Sequence, residues 1–95
     1  MSEIIIRRPH GKTHAEARAA AEQMAAELKK EFALNYAWHG DVLHFKRTGL
    51  SGQLTLDSRE VALDIRLGFL LSALKSTIER EIHRFFDENF PTGSG

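Results

Sequence analysis

The sequence predicts an α+β fold: a single-domain, two-layer sandwich in the order β-α-β-β-β-β-α, with two helices packed on one face of an antiparallel meander. Three observations predict it. A capping-box motif follows a short apolar strand, the period of the apolar residues then changes from 3.6 to 2, and a second amphipathic stretch follows. With 95 residues, 42% of them apolar, the chain has material for one core. We expect one domain over residues 1–90 and a disordered tail over 91–95, because residues 92–95 carry no apolar side chain.

The first two predicted elements are a strand over Glu3–Arg8 and a helix that ends near Ala33. The strand is rich in isoleucine and is closed by Pro9. Thr13 and Glu16 have capping-box spacing, so the helix is expected to start there. Its apolar stripe is mostly alanine, which predicts a thin helix lying close to a sheet. The position of the first strand within that sheet stays open.

Alternation of apolar and polar residues between Leu34 and Leu67 predicts four more strands with one inward face. Two-residue turns are expected at Gly40-Asp41 and Ser58-Arg59, and a four-residue loop is expected over residues 48–51. The predicted pairs are Trp38 with Leu43, Tyr36 with Phe45, Leu56 with Val61, Leu54 with Leu63, Phe45 with Leu54 and Leu43 with Leu56. All these side chains share one face, so the three turns agree.

The second helix is expected to begin at Ser72 as N-cap and to end before Pro91. Gly68 ends the last strand, and residues 69–71 form an apolar connection. The predicted buried stripe is Leu74, Ile78, Ile82, Phe85, Phe86 and Phe90.

Composition excludes several classes of function. Thirteen Lys and Arg balance thirteen Asp and Glu, so no overall field attracts nucleic acid or an anionic membrane, which leaves open only a local charged patch. The absence of cysteine excludes disulfides, thiolate catalysis and cysteine-ligated metals. We expect no transmembrane segment, and the N-terminus lacks the basic-then-apolar order of a secretion signal, so a cytoplasmic location is expected.

No arrangement of polar residues indicates an active site. Among the histidines, His10 and His14 do not share a helical face, and His39 and His44 are diagonal neighbours on the polar face of a hairpin. The serines and acids have ordinary cap or turn positions. We therefore expect no catalytic, metal or cofactor residues and favour a non-enzymatic protein, although the residues leave the question of an enzyme open.

Basic residues lie at two strand ends, Arg7, Arg8 and Lys12 after the first strand and Lys46 and Arg47 after the third. The aromatic residues that would stack with bases are predicted to be buried, so we expect a solvated surface and no nucleic-acid partner.

Apolar residues exceed what the junction after the last strand requires. The candidate hydrophobic contact residues are Leu50, at a predicted loop tip, with Phe69, Leu70, Leu71 and Leu74. They either close the end of the core or form a rim that docks on a hydrophobic surface or a second subunit, and the two roles are compatible. An alternative is a ligand slot between sheet and helices, lined by Tyr36, Trp38, Phe45 and Leu63.

The blocks Trp38–Gly52 and Leu67–Lys75 resemble the bacterial polyhydroxyalkanoic acid system family, the polyhydroxyalkanoate granule-region proteins. The resemblance extends from Ile4 to Phe90. It implies a bacterial cytoplasmic setting and a link to storage granules or their synthesis machinery, and it transfers no activity or catalytic residues. Together with the apolar rim, it predicts a granule-associated accessory protein that contacts the granule surface or a granule protein, with homodimerisation as a further possibility.

Overall fold

The chain folds into one five-stranded antiparallel sheet with helices over one face, and the computed structural model describes residues 2–91. The elements are β1 (Ser2–Pro9), α1 (His14–Phe32), β2 (Asn35–His39), β3 (Val42–Arg47), β4 (Leu50–Leu56), β5 (Glu60–Leu67), α2 (Phe69–Ser72) and α3 (Lys75–Asn89). The strand order is β1-β5-β4-β3-β2, so the first strand joins the meander at its edge beside the last. The predicted α+β class is confirmed. The predicted disordered tail falls, after Pro91, outside the described residues.

Helix α1 begins where the capping box predicts. The Thr13 hydroxyl accepts a hydrogen bond from the Glu16 backbone N–H, and the Glu16 carboxylate accepts one from the Thr13 backbone N–H at 2.9 Å. This second bond is the main reason that the pKa of Glu16 lies below its usual range. The helix ends at Ala33, which adopts a left-handed conformation with φ 55°. The alanine-rich stripe of α1 is buried.

Two of the three predicted hairpin registers are confirmed. Trp38 pairs with Leu43 and Tyr36 with Phe45 across the first turn. Leu56 pairs with Val61 and Leu54 with Leu63 across the last turn. Both turns contain two residues, which ties the register directly to the positions of the turn residues.

The predicted register between β3 and β4 is wrong by two residues. Phe45 pairs with Gly52, and Leu43 pairs with Leu54. The turn contains only Thr48 and Gly49, and Gly49 has the positive φ of 84° that a tight turn accommodates. A shift of two residues leaves every side chain on its predicted face, so the inward face is as predicted although the pairs are not.

The C-terminal region contains two helices where one was predicted. Helix α2 is a single turn that starts after Gly68, and α3 follows three residues later. Ser72 is therefore the last residue of α2 and not the N-cap of α3, and its hydroxyl donates to the Gly68 carbonyl at 2.9 Å. Residues 69–71, which the sequence analysis treats as an apolar connection between strand and helix, form a helical turn whose N-cap residue is Gly68.

The core lies between the sheet and the two long helices. Its largest fully buried side chains come from the sheet and both long helices, among them Phe45, Phe86 and Met24. Asn89, near the end of α3, donates to Glu27 of α1 at 2.7 Å and so joins the two helices across the top of the core. The other face of the sheet has no helix over it among the described residues.

Gly52 permits close contact between β4 and β5. A Cβ added to Gly52 would lie 2.5 Å from the Asp64 carbonyl oxygen and 2.8 Å from Ile65 Cγ1, whereas one added to Gly11 would have nothing within 4 Å. We expect Gly52→Ala to lower the free energy of unfolding by about 1–3 kcal/mol, because backbone must move to admit the methyl group. Gly11→Ala is the control and should change it by less than about 1 kcal/mol. Urea unfolding followed by circular dichroism measures both, and equal stability of the two variants would contradict this account.

Candidate functional site

Three large apolar side chains are exposed at the end of the sheet where β5 leads into α2. Phe69 is 87% exposed, Leu70 81% and Leu74 52%. They lie on α2 and directly before α3, and we call these three residues the α2 patch. Side chains of this size are usually buried, so a cluster of them in solvent indicates a contact surface.

Helix α2 is held in place by residues other than those of the patch. The Gly68 backbone N–H donates to the Gly49 carbonyl at 2.8 Å, which joins the start of α2 to the β3–β4 turn. Leu71 packs against the core, and its Cδ1 lies 3.3 Å from the position that a Cβ on Gly49 would occupy. With Leu71 facing inward, Phe69 and Leu70 face solvent.

A cavity of about 270 Å³ lies beneath the patch, between the end of α1, the β3–β4 turn and the start of α3. Three of the five predicted contact residues line it: Leu50, Leu71 and Leu74. The rest of its wall is Glu31, Phe32, Ala33, Arg47, Thr77 and Ile78. The structure thus brings the predicted contact residues to one place.

Leu50 does not lie at the loop tip where it was predicted. Leu50 is the first residue of β4 and is only 5% exposed, because the two-residue turn draws it into the strand. Leu71 is partly buried against the core. The five predicted contact residues therefore divide into three that face solvent and two that support them from below.

A hollow of about 350 Å³ adjoins the patch on the side of the sheet. Lys46, Arg47 and Arg66 line it, together with Gly68, the residue before Phe69. Arg47 is held by bonds from Nη1 to the Phe32 carbonyl at 2.7 Å and from Nε to the Thr48 carbonyl at 3.1 Å. Lys46 and Arg66 are exposed, and within residues 2–91 neither forms an ion pair.

The two predicted basic clusters lie at opposite ends of the sheet. Pro9 pairs with Glu60 at the start of β5, whereas Leu50, directly after the β3–β4 turn, pairs with Leu67 at its end. The sequence analysis did not include Arg66 in the basic cluster of Lys46 and Arg47. Its position beside Lys46 depends on the β3–β4 register, because Ser51 pairs with Lys46 on one side and with Arg66 on the other.

The uncovered sheet face carries a shallow hollow of about 430 Å³, lined by polar groups of the three central strands. Asp64 lies there, and its Oδ1 is buried with no hydrogen-bond partner among the described residues. His39 and His44 are diagonal neighbours on this face, as predicted, with ring centroids 4.9 Å apart. Within residues 2–91, His, Asp and Glu form no group of three that could hold a metal ion.

A polar cluster that the sequence analysis missed joins α1 to β2. Tyr36 Oη donates to Glu22 Oε2 at 2.6 Å, and Trp38 Nε1 donates to Glu22 Oε1 at 2.7 Å. These two bonds lower the pKa of Glu22, and the bond from Tyr36 has the larger effect. The bond between Tyr36 and Glu22 also raises the pKa of Tyr36. Arg18 stacks on Trp38 with its guanidinium 3.9 Å from the ring centroid. Tyr36 and Trp38 are 14 and 16 residues from Glu22 in sequence, so no local motif predicts these contacts.

The four residues of the predicted slot contribute to packing. Phe45 and Leu63 are 2% and 1% exposed and belong to the core. Tyr36 and Trp38 are partly buried beside α1 and direct their polar atoms to Glu22. A ligand slot among these residues stays a prediction.

The fold and the α2 patch define a small two-layer α+β protein with large apolar side chains exposed at one end of its sheet. The family model of the polyhydroxyalkanoic acid system proteins matches residues 4–90, and the chain belongs to this family. No curated protein and no solved structure was found to match it. Over the described residues, no helix has the length and apolar character needed to cross a membrane.

Loss of the Glu22 carboxylate should weaken the contact between α1 and β2. Because the lowered pKa belongs to the folded state, its contribution is present above the ordinary pKa of glutamate and is lost as pH falls through the lowered value. Since this carboxylate is largely exposed, solvent screening limits the expected loss for Glu22→Gln to about 1 kcal/mol near pH 7. The difference from wild type should shrink when the pH is lowered from 7 to below the ordinary pKa of glutamate.

Urea unfolding at both pH values measures this effect. Glu3→Gln, an exposed substitution on β1, is the control and should leave the pH dependence almost unchanged. A Glu22→Gln variant with the pH dependence of wild type would show that the cluster does not stabilise the fold.

Proposed function

We propose that this chain is a non-enzymatic accessory protein of cytoplasmic polyhydroxyalkanoate storage, and that its α2 patch adsorbs to the granule surface. Family membership supports the link to polyhydroxyalkanoate metabolism. The observation that carries the proposal is the exposure of Phe69 and Leu70, 87% and 81%, side by side on one helical turn. A storage polyester offers an extended apolar surface to such side chains.

The size of the patch fits reversible adsorption. Full burial of a large apolar side chain contributes roughly 1.5–3 kcal/mol. The patch has three such side chains, and part of their gain is lost to the entropy of association. The balance favours an equilibrium in which the protein exchanges between the surface and solution.

The fold does not depend on the exposed side chains. Leu71, the Gly68 N–H and the Ser72 hydroxyl make the contacts that fix α2, while Phe69 and Leu70 extend into solvent. Polar replacements at these two positions should therefore leave stability within about 0.5 kcal/mol of wild type. Function and folding can accordingly be separated by mutation.

Adsorption of purified protein to polyhydroxybutyrate particles tests the proposal. We expect the Phe69→Ser, Leu70→Ser double variant to adsorb at least about tenfold more weakly, because it loses most of the exposed apolar area of the patch. The matched control is Ile5→Ser, which removes a 60% exposed side chain from the uncovered sheet face and should adsorb like wild type. Equal adsorption by wild type and the double variant would overturn the proposal.

Light scattering tests whether a second copy of the chain covers the patch. A concentration-dependent dimer that the serine double variant abolishes would show that a second copy covers the patch, and the granule-surface proposal would then be wrong. A monomer that adsorbs through the patch supports it. If the protein adsorbs only to native granules and never to protein-free polyester, the partner is a protein or lipid of the granule surface and not the polymer.

A further inference from the structure

A hollow lined by basic residues adjoins the α2 patch. Lys46, Arg47 and Arg66 line the hollow that reaches Gly68, and no acidic residue lines that hollow. The cavity beneath the patch is mixed in charge, since both Glu31 and Arg47 line it. The contact surface is therefore apolar in the middle and cationic along the edge that faces the sheet.

Two of these cations are free to bind a partner. Lys46 and Arg66 are exposed and have no ion-pair partner within residues 2–91. Glu3 lies opposite Arg66 in the register, yet no salt bridge forms between them. Arg47 is different, since its guanidinium is fixed on the carbonyl at the end of α1 and contributes charge from a set position.

At the other end of the sheet some cations are paired and others are not. Arg8 binds Asp87 at 2.8 Å and Arg7 lies 3.5 Å from Glu60, whereas Lys12 and Arg59 form no ion pair within residues 2–91. Lys12 and Arg59 therefore carry unpaired charge away from the exposed apolar side chains, which makes them a matched control.

We propose that the α2 patch and its cationic border dock on an anionic phospholipid surface. The proposal rests on the proposed function, because it uses the same apolar side chains, and it goes further by assigning anionic head groups to the surface that they meet. Phe69 and Leu70 enter the acyl region, while Lys46 and Arg66 remain at the level of the head groups. Each basic residue near an anionic bilayer increases the partitioning of a protein onto the bilayer about fivefold.

The arrangement favours a lipid surface over a free anion. The hollow is open to solvent and extends to Gly68, the residue before Phe69, so its cations lie close to the start of the patch. A free phosphate would use the cations and leave Phe69 and Leu70 without a role. A layer of anionic amphiphiles uses both.

Vesicle binding separates the two contributions. The probes are vesicles of phosphatidylcholine alone and of phosphatidylcholine mixed with phosphatidylglycerol, at low and high NaCl. We expect wild type to prefer the mixed vesicles and to lose that preference at high salt, where exposed charges are screened. The Lys46→Gln, Arg66→Gln double variant should bind mixed vesicles about tenfold or more weakly than wild type.

The matched control removes the same charge at the opposite end of the sheet. Lys12→Gln, Arg59→Gln should keep most of the preference for mixed vesicles. Equal binding of wild type to the two kinds of vesicle, or an equal loss in the control variant, would overturn the inference. Circular dichroism melting confirms that each variant is folded before it is compared.

Polyester particles distinguish failure of this inference from failure of the proposed function. If Lys46→Gln, Arg66→Gln changes neither vesicle nor particle binding while Phe69→Ser, Leu70→Ser weakens particle binding, the charge inference fails and the proposed function stands. If the serine variant retains full binding to both mixed vesicles and particles, both fail. Loss of vesicle binding in both double variants supports the inference.

Discussion

The two-residue turn at Thr48-Gly49 is the constraint on which the contact end of the molecule depends. The positive φ of Gly49 closes the turn, and the turn sets the β3–β4 register. Its carbonyl accepts the Gly68 N–H, and the space left by its missing side chain receives Leu71. A larger residue there would strain the turn through its positive φ and would press on the Leu71 side chain. One glycine therefore links the sheet register to the orientation of the exposed apolar residues.

Much of the fold follows from patterns that are local in sequence. The capping box at Thr13 and the two hairpins with short turns have registers or boundaries that a few neighbouring residues determine. The β3–β4 turn could not be assigned in this way, because loops of two and four residues give the same alternation of faces. The deciding factor is tertiary: the shorter turn buries Leu50 and places Gly52 opposite Phe45.

The candidate site was predictable only in its apolar part. Phe69, Leu70 and Leu74 stand out because a junction between strand and helix does not need so many large apolar residues, and all three are exposed. Arg66 joins Lys46 only through two strand pairings, each with Ser51, and the incorrect register concealed that contact. Glu22 lies on the helix exterior, where its bonds to β2 give no periodic signal.

The two ends of the sheet differ in how fully their polar and apolar groups are used. At the end that holds the N-terminus of α1, Asp41 binds His14 and lies 3.7 Å from Arg18, while Arg18 also donates to the Gly40 carbonyl at 2.9 Å. At the other end, two cations and three large apolar side chains face solvent without partners in the described chain. Unpaired cations occur at both ends, since Lys12 and Arg59 also form no ion pair within residues 2–91, so the difference lies in the apolar side chains. Stability does not account for these, because exposed apolar residues on a single helical turn bury nothing in the monomer. The unused groups lie together at the end set by Gly49, and this shared location connects the contact surface to the fold.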